Sequence, residues 1–259
     1  HASKEFQKLN KAQKRVITNE LRDFKLSGAT LTPAKKKQFA KIQQQLALLT
    51  TKFSDNVMDA THGWQKLITN KKELVGLPQN TLDLLQQTAK QQKKKGWLIG
   101  LDQPTFVAVI TYADKRALRE EIYRAYVTRA SELGQNSKKW DNGLVMHKIM
   151  QQRTQLAKLM YFKNYADLSL EPKAAKSTSE VIKFLKQLGK YSQNKARQEY
   201  KDLQQFACEK YHITDLQPWD IAYISEKLQT ERFHFPQEEL RPYFPLPHVL
   251  NGMFKLAHK

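Results

Sequence analysis

The sequence predicts an all-α protein of long antiparallel helices, with at most a small β-ribbon near residues 66–69 and 98–101. Apolar side chains recur at spacings of three and four residues over most of the 259-residue chain, as in helices with one buried face. Only nine glycines and nine prolines are available, and they form few of the turn clusters that a protein of many short strands needs. Hydrophobic residues make up 40% of the chain, which is enough for an ordinary buried core.

The first two predicted helices occupy residues 4–26 and residues 33 to about 57. The first pattern stops at Ser27 and Gly28, where a glycine can adopt the left-handed conformation that closes a helix. Thr32 and Pro33 then supply an N-cap and a first-turn proline for the second helix. We expect this second helix to lie antiparallel to the first.

The ribbon prediction rests on residues 98–112, which are rich in Val, Ile, Thr and aromatic residues and are interrupted by Pro104. This is the only region whose composition favours short strands, and residues 66–69 are the expected pairing partner. Residues 81–92 are predicted to form a helix that ends in a lysine run. The expected result is one pair of short strands, 66–69 with 98–101, on a helical body.

Helical periodicity returns after Asp114. In the first of these helices four apolar residues share one face, and five charged residues are assigned to the rest of its surface. The apolar residues are Leu118, Ile122, Tyr123 and Tyr126, and the charged residues are Arg116, Arg119, Glu120, Glu121 and Arg124. A further helix is predicted to begin at Asp141 and Asn142.

The longest predicted helix begins at Ser177. Ser177-Thr178-Ser179-Glu180 matches the S/T-x-x-E capping box, and the apolar pattern continues to about Tyr211. The next helix begins at Pro218, whose missing N–H costs nothing at a first helical position, and Asp220 follows in the first turn, where the helix dipole favours a carboxylate. A last amphipathic pattern starts at Val249 and has not finished at the end of the sequence.

The formal net charge of +19 raises the possibility of an acidic or nucleic-acid partner. Residues 1–45 hold 11 Lys and Arg against three acidic residues, and short basic runs occur at residues 35–37 and 93–95. The basic residues are nevertheless spread along the chain, most are lysine, and none alternate with aromatic residues as a base-stacking surface requires. We interpret the charge mainly as a solvated surface. A stand-alone basic helical module that binds nucleic acid or acidic partners remains the alternative.

Cys208 is the one cysteine and cannot form an internal disulfide. It lies in the apolar phase of the long helix, next to Phe206 and Ala207, and we expect it to be a small buried hydrophobic residue. No stretch approaches the roughly 20 apolar residues that span a membrane. The N-terminus also lacks the layout of a secretory signal, so we expect a cytoplasmic protein without a membrane partner.

The sequence contains no recognisable catalytic motif. The seven histidines include no pair four residues apart and none followed by glutamate, so His-Glu-x-x-His is absent; they are His1, His62, His147, His212, His234, His248 and His258. Phosphate-binding loops and a nucleophile elbow are absent too. We interpret Glu120-Glu121 and Glu238-Glu239 as solvated charge. No catalytic, metal-binding or substrate-binding residue is assigned.

Six stretches of the chain occur in the order in which similar segments occur in one enzyme family. They are LRDFKLSGATL (21–31), FSDNVMDATHGW (53–64), TYADKRALREEIYRAYVTRAS (111–131), KWDNGLVMHKIMQQRTQLAKLMYFKNYADLSL (139–170), LQPWDIAYISEK (216–227) and EELRPYFPLPHVLNGMF (238–254). Together they cover nearly the whole chain, and they resemble the oligopeptidase A and thimet oligopeptidase family. Two departures are Ile224, where the family's Pro-Trp-Asp-x-x-Tyr-Tyr segment has its second tyrosine, and Tyr161, where the family has a glycine.

The resemblance implies a two-lobed, nearly all-helical, cytosolic zinc metallopeptidase that cleaves short peptides in a channel between its lobes. The family's zinc motif would lie beyond Lys259, so this chain is expected to bind no zinc and to be inactive alone. It would supply the non-catalytic lobe and part of the channel wall. Residues 1–170 would form a helical lobe with the ribbon, and residues 171–259 would run towards the missing catalytic lobe, unless both form one unit. The expected partners are short peptide substrates and that catalytic lobe.

Overall fold

The computed structural model describes residues 4–233 and 242–258, which form helices and one two-stranded ribbon. The helices are α1 (Lys4–Lys8), α2 (Lys11–Leu26), α3 (Pro33–Gly63), α4 (Gln79–Gln91), α5 (Gln103–Tyr112), α6 (Arg116–Thr128), α7 (Ser137–Trp140), α8 (Gly143–Leu159), α9 (Tyr165–Leu170), α10 (Thr178–Tyr211), α11 (Pro218–Phe233) and α12 (Leu246–Ala257), with a short 3-10 helix at Lys71–Leu74. This architecture confirms the predicted all-α class with a small ribbon. Within the described ranges, no helix combines the length and the apolar character that crossing a membrane requires.

The ribbon consists of β1 (Lys66–Ile68) and β2 (Trp97–Ile99), which pair antiparallel. Lys66 lies opposite Ile99, and Ile68 lies opposite Trp97. The predicted pairing is confirmed, with the second strand beginning one residue earlier than expected. Gly96 precedes β2 with φ +121°, and a Cβ at this position would lie 2.3 Å from the carbonyl oxygen of Ile68. Only glycine fits this approach of the two chains.

Within the region 98–112 the strand ends at Ile99, two residues before the end of the predicted strand 98–101, and residues 103–112 form α5. Asp102 caps this helix by accepting a hydrogen bond from the Thr105 N–H at 3.0 Å, and Pro104 lies in its first turn. A buried apolar run does not distinguish strand from helix by periodicity alone. Here the N-cap Asp102 and the first-turn Pro104 favour a helix over a strand.

The single helix predicted over residues 4–26 is divided in two. α1 ends at Lys8, and Asn10 caps α2: its side chain accepts from the Gln13 N–H at 2.9 Å, while the Gln13 side chain accepts from the Asn10 N–H at 3.0 Å. This reciprocal pair is a capping box. It supplies partners for the N–H groups that a new helix leaves unsatisfied, so the chain restarts at Lys11.

The chain divides into two compact units, and each unit is assembled from two separate stretches. The first unit combines the residues up to 60 with residues 130–193, and the second combines residues 61–129 with the residues from 194 onward. The predicted division into 1–170 and 171–259 is a different one and stays a prediction.

Three clusters of buried residues form the cores of the two units. In the first unit α3 and α8, with the residues that flank them, contribute Leu31, Ile42, Leu156, Leu159 and Met160. In the second unit one cluster joins the ribbon to α4, α5 and α6, and another joins α10 to α11. The second unit therefore holds the ribbon and the Pro-Trp-Asp segment on adjoining sets of helices.

Cys208 is exposed, and the expectation that it is buried is wrong. The buried stripe at this end of α10 consists of Leu203, Phe206 and Ala207. Residue 208 is about 100° further round the helix than Ala207. It therefore faces away from the cluster that α10 forms with α11.

Candidate functional site

A fully buried carboxylate lies at the start of α11 in the second unit. Asp220 has no exposed side-chain surface, and two arginines of α6 hold it. Arg116 donates from Nε and Nη2 to Oδ2 at 3.0 and 2.7 Å, and Arg119 donates from Nη2 to Oδ1 at 2.8 Å. The Gln217 N–H adds a bond to Oδ2 at 3.1 Å. Both oxygens of the buried anion therefore have charged or backbone donors.

Arg119 is itself buried, with 1% of its side chain exposed. Besides Asp220 it donates to three backbone carbonyls: those of Ala113 at 2.7 Å, Asp114 at 3.1 Å and Trp219 at 3.3 Å. The guanidinium group thus joins the end of α5 and the loop before α6 to the first turn of α11. A planar five-donor group is suited to such a junction, whereas a lysine ammonium is not.

Asp114 forms a second set of polar contacts, next to the ion pairs of Asp220. Its Oδ1 accepts from the Tyr223 hydroxyl at 2.9 Å and lies 3.4 Å from Lys227 Nζ. Its N–H donates to the Val75 carbonyl at 2.9 Å, and Gly76 with φ +92° allows this approach, since a Cβ there would lie 2.7 Å from Asp114 Oδ1.

Aromatic rings enclose the arginine and aspartate cluster. The Arg119 guanidinium lies 4.0 Å from the ring centroid of Tyr223, and the Arg124 guanidinium lies 4.8 Å from that of Trp219. Trp219 and Tyr223 are both buried. Arg119 and Asp220 are therefore shielded from water, which strengthens their ion pair, whereas Arg116 remains partly exposed.

The surroundings fix the ionisation state of the cluster. Burial alone would raise the pKa of Asp220, but the hydrogen bonds from Arg116 and Arg119 outweigh it and lower the pKa below its ordinary value. Burial, followed by the hydrogen bond to Asp114, raises the pKa of the Tyr223 phenol. At neutral pH the aspartate is therefore an anion and the phenol is neutral. A carboxylate with both oxygens occupied acts as a clamp between helices, not as a proton acceptor.

The sequence predicted part of this cluster. The placement of Pro218 at the first position of α11 and of Asp220 in its first turn is confirmed. The assignment of Arg119 to the solvated surface of α6 is wrong, and Arg116 is only half exposed. Both arginines bind a residue that lies more than 100 positions away in the chain. No local spacing signals such a partner.

The carboxylate pair of α6 forms ordinary surface ion pairs. Glu120 pairs with Arg124 at 2.8 Å, and Glu121 pairs with Lys66 at 2.8 Å. The described residues do not include His1, His234, the pair Glu238-Glu239 or the first part of the stretch 238–254. Among the residues that the structure describes, no three His, Cys, Asp or Glu side chains come close enough to hold a metal ion.

Two helices expose long apolar faces. In α10 the exposed apolar residues include Ile182, Phe184, Leu185, Leu188 and Tyr191. In α12 they include Val249, Leu250, Met253, Phe254 and Leu256, and this helix has no buried residue. The predicted amphipathic pattern from Val249 is thus a helix whose apolar face is open. Exposed apolar faces of several neighbouring residues on a protein surface indicate contact with a further partner.

Comparison with known proteins identifies relatives of both units. The model of peptidase family M3 matches residues 109–259, a range that contains the whole arginine and aspartate cluster. Oligopeptidase A of Haemophilus influenzae is 44% identical over 99% of this chain and 38% of its own length. Oligopeptidase A of Escherichia coli is 43% identical over 97% and 37%, and a probable cytosolic oligopeptidase A of Arabidopsis thaliana is 38% identical over 98% and 37%.

The chain therefore spans well under half the length of these relatives, while almost all of it aligns with them. The predicted resemblance to the oligopeptidase A and thimet oligopeptidase family is confirmed. This chain belongs to peptidase family M3.

Proposed function

We propose that this chain is the helical scaffold of a zinc-dependent cytosolic oligopeptidase that hydrolyses short peptides. One observation carries the proposal: relatives named oligopeptidase A align with 97% or more of the chain at 43% to 44% identity, yet are more than twice as long. The name of the Arabidopsis thaliana relative supports a cytosolic location. Zinc dependence and the peptide substrates come from the family resemblance.

In this proposal the chain supplies wall and support, and the zinc ligands belong to another part of the polypeptide. The open apolar faces of α10 and α12 support this division, because they are suited to packing against further structure of the same protein. The arginine and aspartate cluster would hold α11 in place on α6 beside that structure. Stiff helical walls restrict a channel by shape, so that short unfolded peptides enter and folded proteins do not.

The test is cleavage of a quenched fluorescent peptide of about ten residues. The intact protein, meaning the longer polypeptide of which this chain would be a part, is expected to cleave the peptide, to lose this activity in a chelator and to regain it with zinc. The 259-residue chain alone is expected to be inactive. Chelator-sensitive turnover by the chain alone would contradict the scaffold assignment. An intact protein without peptidase activity would contradict the oligopeptidase assignment.

A further inference from the structure

A cavity of about 440 Å³ lies in the second unit, bordered by α4, the ribbon and the start of α5. Its apolar lining includes Trp64, Leu98 and Leu101, and both leucines are 2% exposed. Ligand sites in proteins are commonly clefts of about 300–1,000 Å³ with apolar walls and a few polar groups. The size of this cavity therefore suits a small ligand, and its polar groups indicate which one.

A lysine ammonium is fixed at one edge of the cavity. In the turn that ends α4, the Lys94 N–H donates to the Ala89 carbonyl at 2.9 Å. The half-buried Lys94 side chain donates from Nζ to Gln65 Oε1 at 3.2 Å and to Gln92 Oε1 at 2.9 Å, and both glutamines line the cavity. Both partners are neutral. Within the described part of the chain, the charge of Lys94 therefore has no counter-ion.

A carboxylate lies at another edge of the same cavity. Asp102 belongs to the lining, and its Oδ1 accepts from the Thr105 N–H at 3.0 Å as the cap of α5. Gly100 also lines the cavity, and a Cβ there would lie 3.3 Å from Asp102 Oδ2. Among the described residues Asp102 forms no ion pair. Opposite charges of Lys94 and Asp102 therefore border one cavity without pairing with each other.

Two unpaired opposite charges match a ligand that carries both charges itself. The α-amino and α-carboxyl groups of a free amino acid or a short peptide are both ionised at neutral pH. Leu84, Thr88 and Gln92 line the cavity at successive turns of α4, and eight residues of helix rise by about 12 Å. An extended dipeptide spans at most about 7 Å. The cavity is therefore long enough for a dipeptide with a hydrogen bond at each end.

We propose that this cavity binds a small zwitterion, an amino acid or a dipeptide, with both termini free and an apolar side chain. The ligand carboxylate would accept from Lys94, and the ligand ammonium would donate to Asp102. The apolar side chain would pack on Trp64, Leu98 and Leu101. The proposal is independent of the peptidase assignment, since it needs neither zinc nor hydrolysis.

The test measures binding of leucyl-leucine to the intact protein by calorimetry at pH 7, with a chelator present to prevent metal-dependent hydrolysis. N-acetyl-leucyl-leucine lacks the ammonium, and leucyl-leucine amide lacks the carboxylate. Each blocked form is expected to bind at least about fivefold more weakly, because it loses a hydrogen bond between charged groups. Free leucine is measured in parallel, and the tighter of the two unblocked ligands assigns the length. Either assignment supports the proposal.

Two substitutions locate the binding. Lys94→Gln should weaken leucyl-leucine at least about fivefold and should no longer distinguish it from the amide, while still distinguishing it from the acetylated form. Asp102→Asn keeps a side chain that can cap α5 and should show the converse loss of preference. A variant that is merely misfolded would lose both preferences together.

Matched controls remove the same charges from exposed positions on α4 outside the lining, as Lys90→Gln and Asp83→Asn. These variants should change affinity less than about twofold. No binding by the unmodified protein, equal losses in control and site variants, or site variants that keep both preferences would each overturn the proposal. His62 also lines the cavity, and loss of the preference for a free carboxylate in His62→Gln instead of Lys94→Gln would overturn it as well.

Discussion

Asp220 is stable as a buried anion because every strong acceptor position on its carboxylate is used. Removing a carboxylate and a guanidinium from water costs several kcal/mol per ion, and the pairing in a water-poor interior offsets this cost only when the geometry is good. Here Arg116 approaches with two nitrogens and Arg119 with one. Such a cluster fixes the orientation of the two helices, because its hydrogen-bond geometry permits only one placement of α11 on α6.

Replacing Asp220 with asparagine tests this clamp. The substitution leaves Arg119 buried with an uncompensated charge, and we expect the free energy of unfolding to fall by about 3 kcal/mol. Chemical denaturation monitored by circular dichroism measures the change. Asp215→Asn removes the same charge from an exposed neighbour and should change the stability by less than about 0.5 kcal/mol. Equal effects of the two substitutions would contradict a special role for the buried carboxylate.

The clamp also predicts a pH dependence. The pKa of Asp220 is lowered in the folded protein, so its ionised form is favoured by folding, and an unfolded aspartate titrates near pH 3.9. The stabilisation is therefore fully present above about pH 4 and is lost as the pH falls through the lower, folded value. In denaturation series from pH 7 to pH 3, the stability difference between the protein and Asp220→Asn should be constant at first and then shrink. A difference that grows on acidification would reverse the assigned direction.

Tyr161 is a residue in a conformation that glycine normally occupies. It follows α8 with φ +64°. Its hydroxyl bonds to Lys35 Nζ at 2.6 Å, and the ammonium lies 4.5 Å from the ring centroid. The side chain thus gains a contact with α3 while the backbone bears the cost of a left-handed conformation.

Comparing Tyr161→Gly with Tyr161→Ala isolates that backbone cost. Both variants lose the contact with Lys35, but only glycine adopts the left-handed conformation freely, so the glycine variant should be about 1 kcal/mol more stable than the alanine variant. Thermal and urea denaturation measure the difference. An alanine variant that equals or exceeds the glycine variant would show that the conformation carries no strain.

At the scale of elements, helix starts were more predictable than helix ends. Pro33, Ser177 and Pro218 begin or precede α3, α10 and α11 as predicted, because N-terminal signals are made by particular side chains. Ser177 Oγ accepts from the Glu180 N–H at 3.2 Å, although the Glu180 carboxylate turns to the Lys176 N–H instead of closing the box on Ser177.

Helix ends were harder to predict because several left-handed turns lack glycine. Gly28 closes α2 as expected, but Lys93 and Tyr161 close α4 and α8 with the same pair of backbone hydrogen bonds. In these cases the backbone hydrogen bonds form although the residue is unfavourable in a left-handed conformation. A rule that looks for glycine finds only the first of the three.

The cap of α5 allows a test at this scale. Asp102 caps the helix over residues 103–112, so Asp102→Ala should lower the free energy of unfolding by about 1 kcal/mol. Asp102→Asn and Asp102→Ser should retain most of the stability that the cap provides. Urea denaturation of the three variants measures this order. A serine variant as unstable as the alanine variant would indicate that Asp102 acts through its charge and not as a cap.

At the scale of the molecule, the sequence predicted the class of fold and the ribbon but not the assembly of the units. Each unit joins stretches that are separated by about 70 residues in the first case and 64 in the second, counted from residues 61–129 and 130–193. Local periodicity reports which face of a helix is apolar and not which distant helix covers it. The arginines of α6 were missed for this same reason, since their partner Asp220 lies elsewhere in the chain.

The open faces provide the prediction that concerns the whole molecule. Leu185 and Leu188 in α10 are 56% and 52% exposed, so they contribute little to the stability of the 259-residue chain. Replacing both with glutamine should change its free energy of unfolding by less than about 0.5 kcal/mol per site and should lower the binding of a hydrophobic dye such as ANS. Leu203→Ala, on the buried stripe of the same helix, is the matched control and should cost about 2–5 kcal/mol. If the double glutamine variant unfolds the chain, this face is already part of its core. If it leaves the chain stable but destabilises the intact protein, the face is covered by further structure there, as the scaffold role requires.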